Sequence, residues 1–161
     1  MEFAHQIIRY CASRRIAILG IGNLDRGDDG YGIRVAESLK KLFPKNVFLE
    51  SEGIDGIISE IKAREDIECV LFLDAIERNT HPGKIEVIEK ERIGEISSSH
   101  EVPIKLYCAL VEKPCLLLGI QPKRIEFGVL ISPEVEQGIE KTISALSSIL
   151  REKEKWGQAT I

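Results

Sequence analysis

The sequence predicts an α/β fold: a three-layer sandwich with a mostly parallel, twisted sheet of about five strands flanked by helices. Two observations predict it. Short apolar runs alternate with segments of helical periodicity, the pattern of a sheet covered by helices. The run Cys69-Val70-Leu71-Phe72-Leu73 is apolar at every position, as a strand buried on both faces must be.

Each element follows from local pattern. Met1 to Arg15 carries a charged or polar group every few residues; it lacks the apolar stretch of a signal peptide and reads as a lead-in segment over 1–14, a short helix. Arg15 to Leu19 is an apolar run stopped by Gly20, a buried strand. After a glycine-rich loop, Ile33, Ala36, Leu39, Leu42 and Phe43 recur at helical spacing, and Pro44 marks the stop. Val47 to Leu49 is a second strand, and Ile54, Ile57, Ile58 and Ile61 form one face of a second helix.

Beyond the central strand, His81-Pro82-Gly83 is a turn. Ile85 and Val87 alternate with charges, as on a half-exposed edge strand. Ser97-Ser98-Ser99-His100 is a polar loop, followed by a helix over Ile104 to Val111 with Pro103 near its first turn. Leu116 to Ile120 is another buried strand. Ser132-Pro133 then opens a long amphipathic helix through Leu150, Ser as its cap and Pro at its first position. Residues 152–161 are polar and are expected to fray.

Bulk properties narrow the function. With 161 residues and 43% hydrophobic content the chain suits one domain over 1–161. A net charge of -4, with both signs interleaved, argues against nucleic acid as a partner. No apolar run approaches the roughly 20 residues that span a bilayer, so no membrane insertion is expected. Cys11, Cys69, Cys108 and Cys115 form no Cys-x-x-Cys pair; a structural zinc site or disulfide framework is not expected, and a reducing cytoplasm is.

In α/β sheets ligands gather at the carboxyl ends of strands, near a switch in strand order. The loop after the first strand, residues 20–32, holds five glycines and the aspartates Asp25, Asp28 and Asp29. Its opening Gly20-x-Gly22 resembles a dinucleotide fingerprint, but Asp25 stands where the third glycine belongs. Three aspartates repel phosphate, so the loop is built for a cation. One of Asp28 and Asp29 is needed at most to cap the next helix; so many glycines, at their cost in folding entropy, point to backbone held in an unusual place. Asp74 directly follows the central apolar run, which sets a carboxylate beside that loop. His100, in its serine-rich loop, completes a set of two carboxylates and one imidazole, donors suited to a divalent transition metal with open positions. Nucleophile-elbow, Cys–His and His-Glu-x-x-His protease signatures are all absent from the sequence.

These residues carry a resemblance. Gly20-x-Gly22-Asn23 through Gly27-Asp28-Asp29-Gly30-x-Gly32 resembles the opening motif of the nickel–iron hydrogenase maturation proteases. Leu73-Asp74-Ala75 with His81-Pro82-Gly83, then Ser99-His100 with Pro103, then Gly119-Ile120-Gln121-Pro122 are similar to that family's later blocks, in the same order. The resemblance implies that Asp29, Asp74 and His100 contact metal and take part in catalysis, while Asp28 belongs to loop structure. It also implies the reaction: an endopeptidase removes a C-terminal peptide from the hydrogenase large-subunit precursor once nickel has been loaded; a monomer acting on that large precursor is the simplest expectation. The nickel is expected to come with the substrate. The competing expectation from another class is a non-catalytic nickel-binding accessory protein of hydrogenase assembly. A third, a nucleotide enzyme on a similar scaffold, lacks basic residues in the glycine loop.

Overall fold

A computed structural model describes residues 1–95 and 101–159. Its center is a five-stranded sheet: β1 (Ile16–Gly20), β2 (Val47–Leu49), β3 (Cys69–Ala75), β4 (Ile85–Glu89) and β5 (Cys115–Ile120), in spatial order β2-β1-β3-β5-β4. All neighbours are parallel except β4, which runs antiparallel to β5 at the edge. Strands β1, β2, β3 and β5 are buried throughout, whereas β4 is mostly half-buried. That contrast follows from composition: apolar runs serve strands covered on both faces, and charge-alternating Ile85–Glu89 serves an edge.

Period-two alternation divides the core into two layers. Ile16, Ile18, Leu71, Leu73, Leu116 and Leu118 face one side, where α1 (Glu2–Cys11), α2 (Tyr31–Lys40) and α5 (Pro133–Ala159) pack. Ala17, Leu19, Val70, Phe72 and Leu117 face the other, under α3 (Ile54–Ala63) and α4 (Glu101–Val111). Each fully buried aliphatic or aromatic side chain is worth roughly 1.5–3 kcal/mol, so the sheet is the stable frame on which the loops are mounted. Among the described residues no helix is long and apolar enough to cross a membrane.

Two boundaries differ from expectation. Helix α2 ends at Lys40 rather than running to Phe43, and Leu42 is 54% exposed. The last turn tightens there, with Leu42 N–H on Leu39 O at 3.0 Å, because Pro44 disfavors helical geometry at the residue before it. Helix α5 is also longer than the amphipathic run through Leu150: it continues to Ala159. Lys153 explains part of this. Its Nζ donates to the carbonyls of Cys11, Ala12 and Arg14 at 3.4, 2.9 and 2.5 Å. It thus covers the orphan acceptors at the end of α1 and holds α5 against them.

Candidate active site

Strand order reverses between β1 and β3: the chain leaves β1 for β2 on one side and reaches β5 on the other side of β3. The crevice at the carboxyl ends of β1 and β3 is therefore the switch point of the sheet. The loop after β1 and the end of β3 meet there. Ile21 N–H donates to Leu73 O at 2.9 Å, carrying the ladder one residue past the strand and placing the glycine loop beside Asp74.

Close packing explains the glycines. A Cβ on Gly32 would lie 2.3 Å from Leu73 O and 2.4 Å from Ile21 O; one on Gly20 would lie 2.3 Å from Gly32 O. Neither contact is tolerable, so bare backbone is what lets α2 sit down on the ends of β1 and β3. Gly22, at φ 131°, lies against Asp29, whose carbonyl accepts the Asn23 N–H at 3.2 Å. Asp29 stands on a single 3-10 turn, Gly27–Gly30, and Asp74 is the sixth residue of β3. Both are 0% exposed. The Oδ1 of Asp74 accepts the Ala75 N–H at 2.9 Å.

Asp28 turns the other way. Its carboxylate accepts N–H bonds from Lys123, Arg124 and Ser132 at 2.8, 3.1 and 2.7 Å, and the Ser132 hydroxyl at 2.9 Å. Four donors fill the acceptor capacity of a carboxylate. Its own N–H donates to Arg124 O at 3.0 Å. Asp28 thus ties the glycine loop to the segment before α5, and α2 has no side-chain cap at all. The capping role considered for these aspartates is not used. The cap expected at Ser132 is present, its hydroxyl oxygen accepting the Val135 N–H at 3.4 Å.

Two more polar residues stand on this rim. Glu50 follows β2; its Oε1 accepts the Gly22 N–H at 3.4 Å and its Oε2 the Tyr107 hydroxyl at 2.8 Å. It thereby joins the Asp29 loop to α4. Burial and this carboxylate push the Tyr107 phenol above its ordinary value of 10.0. Gln121, directly after β5 and 5% exposed, accepts the N–H groups of Arg78 and Thr80 at 2.8 and 3.4 Å. Its amide donates to both oxygens of Glu77 at 3.1 and 3.0 Å, which fixes the loop after β3. Glu50 was missed as a candidate although it carries the signal that marked Asp74, an acidic residue directly behind a buried apolar run.

Of the expected set, Asp29 and Asp74 fall on one rim at the switch point, and His100 lies outside the described residues. Among the described residues no three His, Cys, Asp or Glu side chains gather as a metal site. Asp29 on the loop after β1 and Asp74 near the end of β3 bring two carboxylates to this rim, donors that favor a divalent cation over an anion. Exposed apolar side chains border the region: Leu24 in the glycine loop, and Phe127 and Leu130 in the segment Asp28 holds.

Comparison with known proteins agrees with this placement of the fold. The family model described as hydrogenase maturation protease, HycI, matches residues 33–149. A Methanocaldococcus jannaschii chain, provisionally named a hydrogenase maturation protease, is 30% identical over 157 aligned positions, covering 86% of this chain and 90% of that one. The hydrogenase expression/formation protein HupM of Azotobacter chroococcum is 28% identical, covering 88% and 74%. Among solved structures, the NiFe hydrogenase maturation protease HycI of Thermococcus kodakarensis superposes with a TM-score of 0.67 at 25% identity, covering 86% and 93%. HybD of the same organism gives 0.65 at 26% identity, covering 84% and 99%.

Proposed function

The chain belongs to the hydrogenase maturation protease family, and from that premise we propose that it is an endopeptidase removing a C-terminal peptide from a nickel-loaded hydrogenase large-subunit precursor. The supporting observation is the location of Asp29 and Asp74. Asp29 sits on the glycine loop after β1 and Asp74 near the end of β3, so both belong to the β1/β3 switch point, while the neighbouring acid Asp28 is fully used in structure.

In this reading Asp29, Asp74 and His100 recognize the nickel displayed by the precursor, so the metal is part of the substrate. Amide hydrolysis requires a polarized carbonyl and a water deprotonated as it attacks. The substrate's metal would supply polarization, and one of the two carboxylates takes the proton. Because Asp29 and Asp74 are 0% exposed, engagement requires the rim to part above them. Docking of the precursor would drive that step, at a cost met only when the metal is there to bind. Action as a monomer in the cytoplasm belongs to the same proposal.

The test is an intact-mass assay with nickel-loaded and nickel-free precursor. Shortening of the loaded form alone is the expected result. Equal shortening of both would remove metal recognition and keep the protease. Shortening of neither, with nickel retained by the purified chain, would favor the accessory-protein reading instead.

A further inference from the structure

All four cysteines are free and buried, and they fall into two facing pairs. Cys11, the last residue of α1, and Cys69, the first of β3, meet with their sulfurs 3.8 Å apart. Cys108 of α4 and Cys115, the first residue of β5, are neighbours in one buried cluster, each thiol perturbing the other, and the Cys115 thiol donates to Lys113 O at 3.2 Å. The first pair lies in the layer of α1, α2 and α5, the second in the layer of α3 and α4. Each pair joins a helix to a central strand, one on either face of the sheet. In a chain with only four cysteines, none is left over.

We propose that these are two dithiol sites that close to disulfides, Cys11–Cys69 and Cys108–Cys115, when the protein meets a small-molecule disulfide oxidant. The Cys11 and Cys69 sulfurs, already in van der Waals contact at 3.8 Å, need only rotamer adjustment and a modest approach to reach bonding distance. Within the first pair the roles are unequal. Cys69 donates its S–H to Cys11, which holds the Cys11 thiol below its ordinary value and pushes the Cys69 thiol up. Lys153 and Arg14 add positive potential at Cys11. Cys11 is therefore the attacking thiolate.

The exchange balances with oxidized glutathione as co-reactant. Cys11 sulfur attacks one glutathione sulfur and expels a thiolate. Cys69 sulfur then attacks Cys11 in the mixed disulfide and expels the second. The two protein thiol protons leave on two reduced glutathiones, and the protein pair loses the two electrons that the added disulfide gains. Both sulfurs are nearly inaccessible, so reaction proceeds through local opening of α1, a 10-residue helix at the surface of its layer.

The expected consequence differs between sites. Cys11–Cys69 closes a loop of 58 residues' separation, and its closure raises Tm by on the order of 10 °C. Cys108–Cys115 closes a short loop and raises Tm less. The experiment incubates the full chain with oxidized glutathione, and in parallel refolds it from denaturant in a glutathione redox buffer. Digestion without reduction is followed by mass spectrometry. Peptides linked 11–69 and 108–115, and no others, are expected in both arms, with Cys69→Ser retaining only 108–115. Four free thiols after refolding, or cross-linked partners such as 11–108, would overturn the proposal. The refolding arm removes burial as an explanation for a negative result.

Discussion

Ser132 gives both of its donors to Asp28: its backbone N–H reaches Oδ1 at 2.7 Å and its hydroxyl reaches Oδ2 at 2.9 Å. Together with the N–H groups of Lys123 and Arg124, this closes a joint across about a hundred residues of chain. Asp28 and Asp29 are neighbours on one 3-10 turn, yet the Asp28 carboxylate is held by the segment before α5 while Asp29 lies against Gly22 at the opening of the loop. The tight turn separates a structural acid from a candidate functional one.

Asp28→Asn tests the joint. An amide in place of either oxygen turns a donor toward at least one of the four donors and removes the charge that strengthens the rest. The expected loss is about 3 kcal/mol, read as a lower urea midpoint at unchanged m value. A midpoint equal to that of the wild type would mean that Ser132 and its neighbours hold the loop without Asp28.

Asp29→Asn and Asp74→Asn separate chemistry from stability. Each is expected to lower precursor processing at least ~100-fold, the scale of losing an acid–base group. His100→Ala is expected to do the same on the implied ligand role. Thermal unfolding of Asp29→Asn and Asp74→Asn, read beside that of Asp28→Asn, separates lost chemistry from lost stability. If Asp28→Asn alone stopped processing, the pair at the switch point would not be the site.

Gly32→Ala addresses why the loop is glycine-rich. The added methyl carbon would sit 2.3 Å from Leu73 O and 2.4 Å from Ile21 O, both backbone atoms that cannot swing aside. Helix α2 must lift off the ends of β1 and β3. We expect a loss of about 3 kcal/mol or more, a Tm fall on the order of 10 °C, and loss of processing. Gly56→Ala, with open space around the added carbon, is the control and should be neutral or stabilizing.

Much of this was legible from pattern because the signals are local. The apolar run at Cys69 marks a strand covered on both faces, charge alternation at Ile85 marks the edge, and Asp74 directly behind the run marks the rim. Long-range polar pairing is not local. Nothing in the spacing of Asp28 and Ser132 shows that they meet, and nothing near Lys153 shows that its ammonium covers the end of α1. The glycine loop was legible as costly, but its reason, backbone approach to Leu73 O and Ile21 O, needs the sheet to be assembled first.

The alkaline limb of stability should expose Tyr31 and Tyr107. Burial pushes both phenols above the ordinary value of 10.0, and at Tyr107 the Glu50 carboxylate adds to this. Thr142 gives its only hydroxyl proton to Gly138 O at 2.7 Å, so Tyr31 is the donor in its 2.8 Å bond to Thr142. Both tyrosines therefore need their protons in the folded state. The folded protein holds protons that the unfolded chain releases above pH 10, so stability is full below pH 10 and falls as pH rises beyond it. Comparing the slope of ΔG against pH above 10 isolates this effect from lysine titration. Tyr31→Phe and Tyr107→Phe should each cost about 1 kcal/mol at neutral pH through a lost hydrogen bond, and each should flatten the alkaline slope. An unchanged slope in both variants would mean that neither phenol is held protonated by the fold.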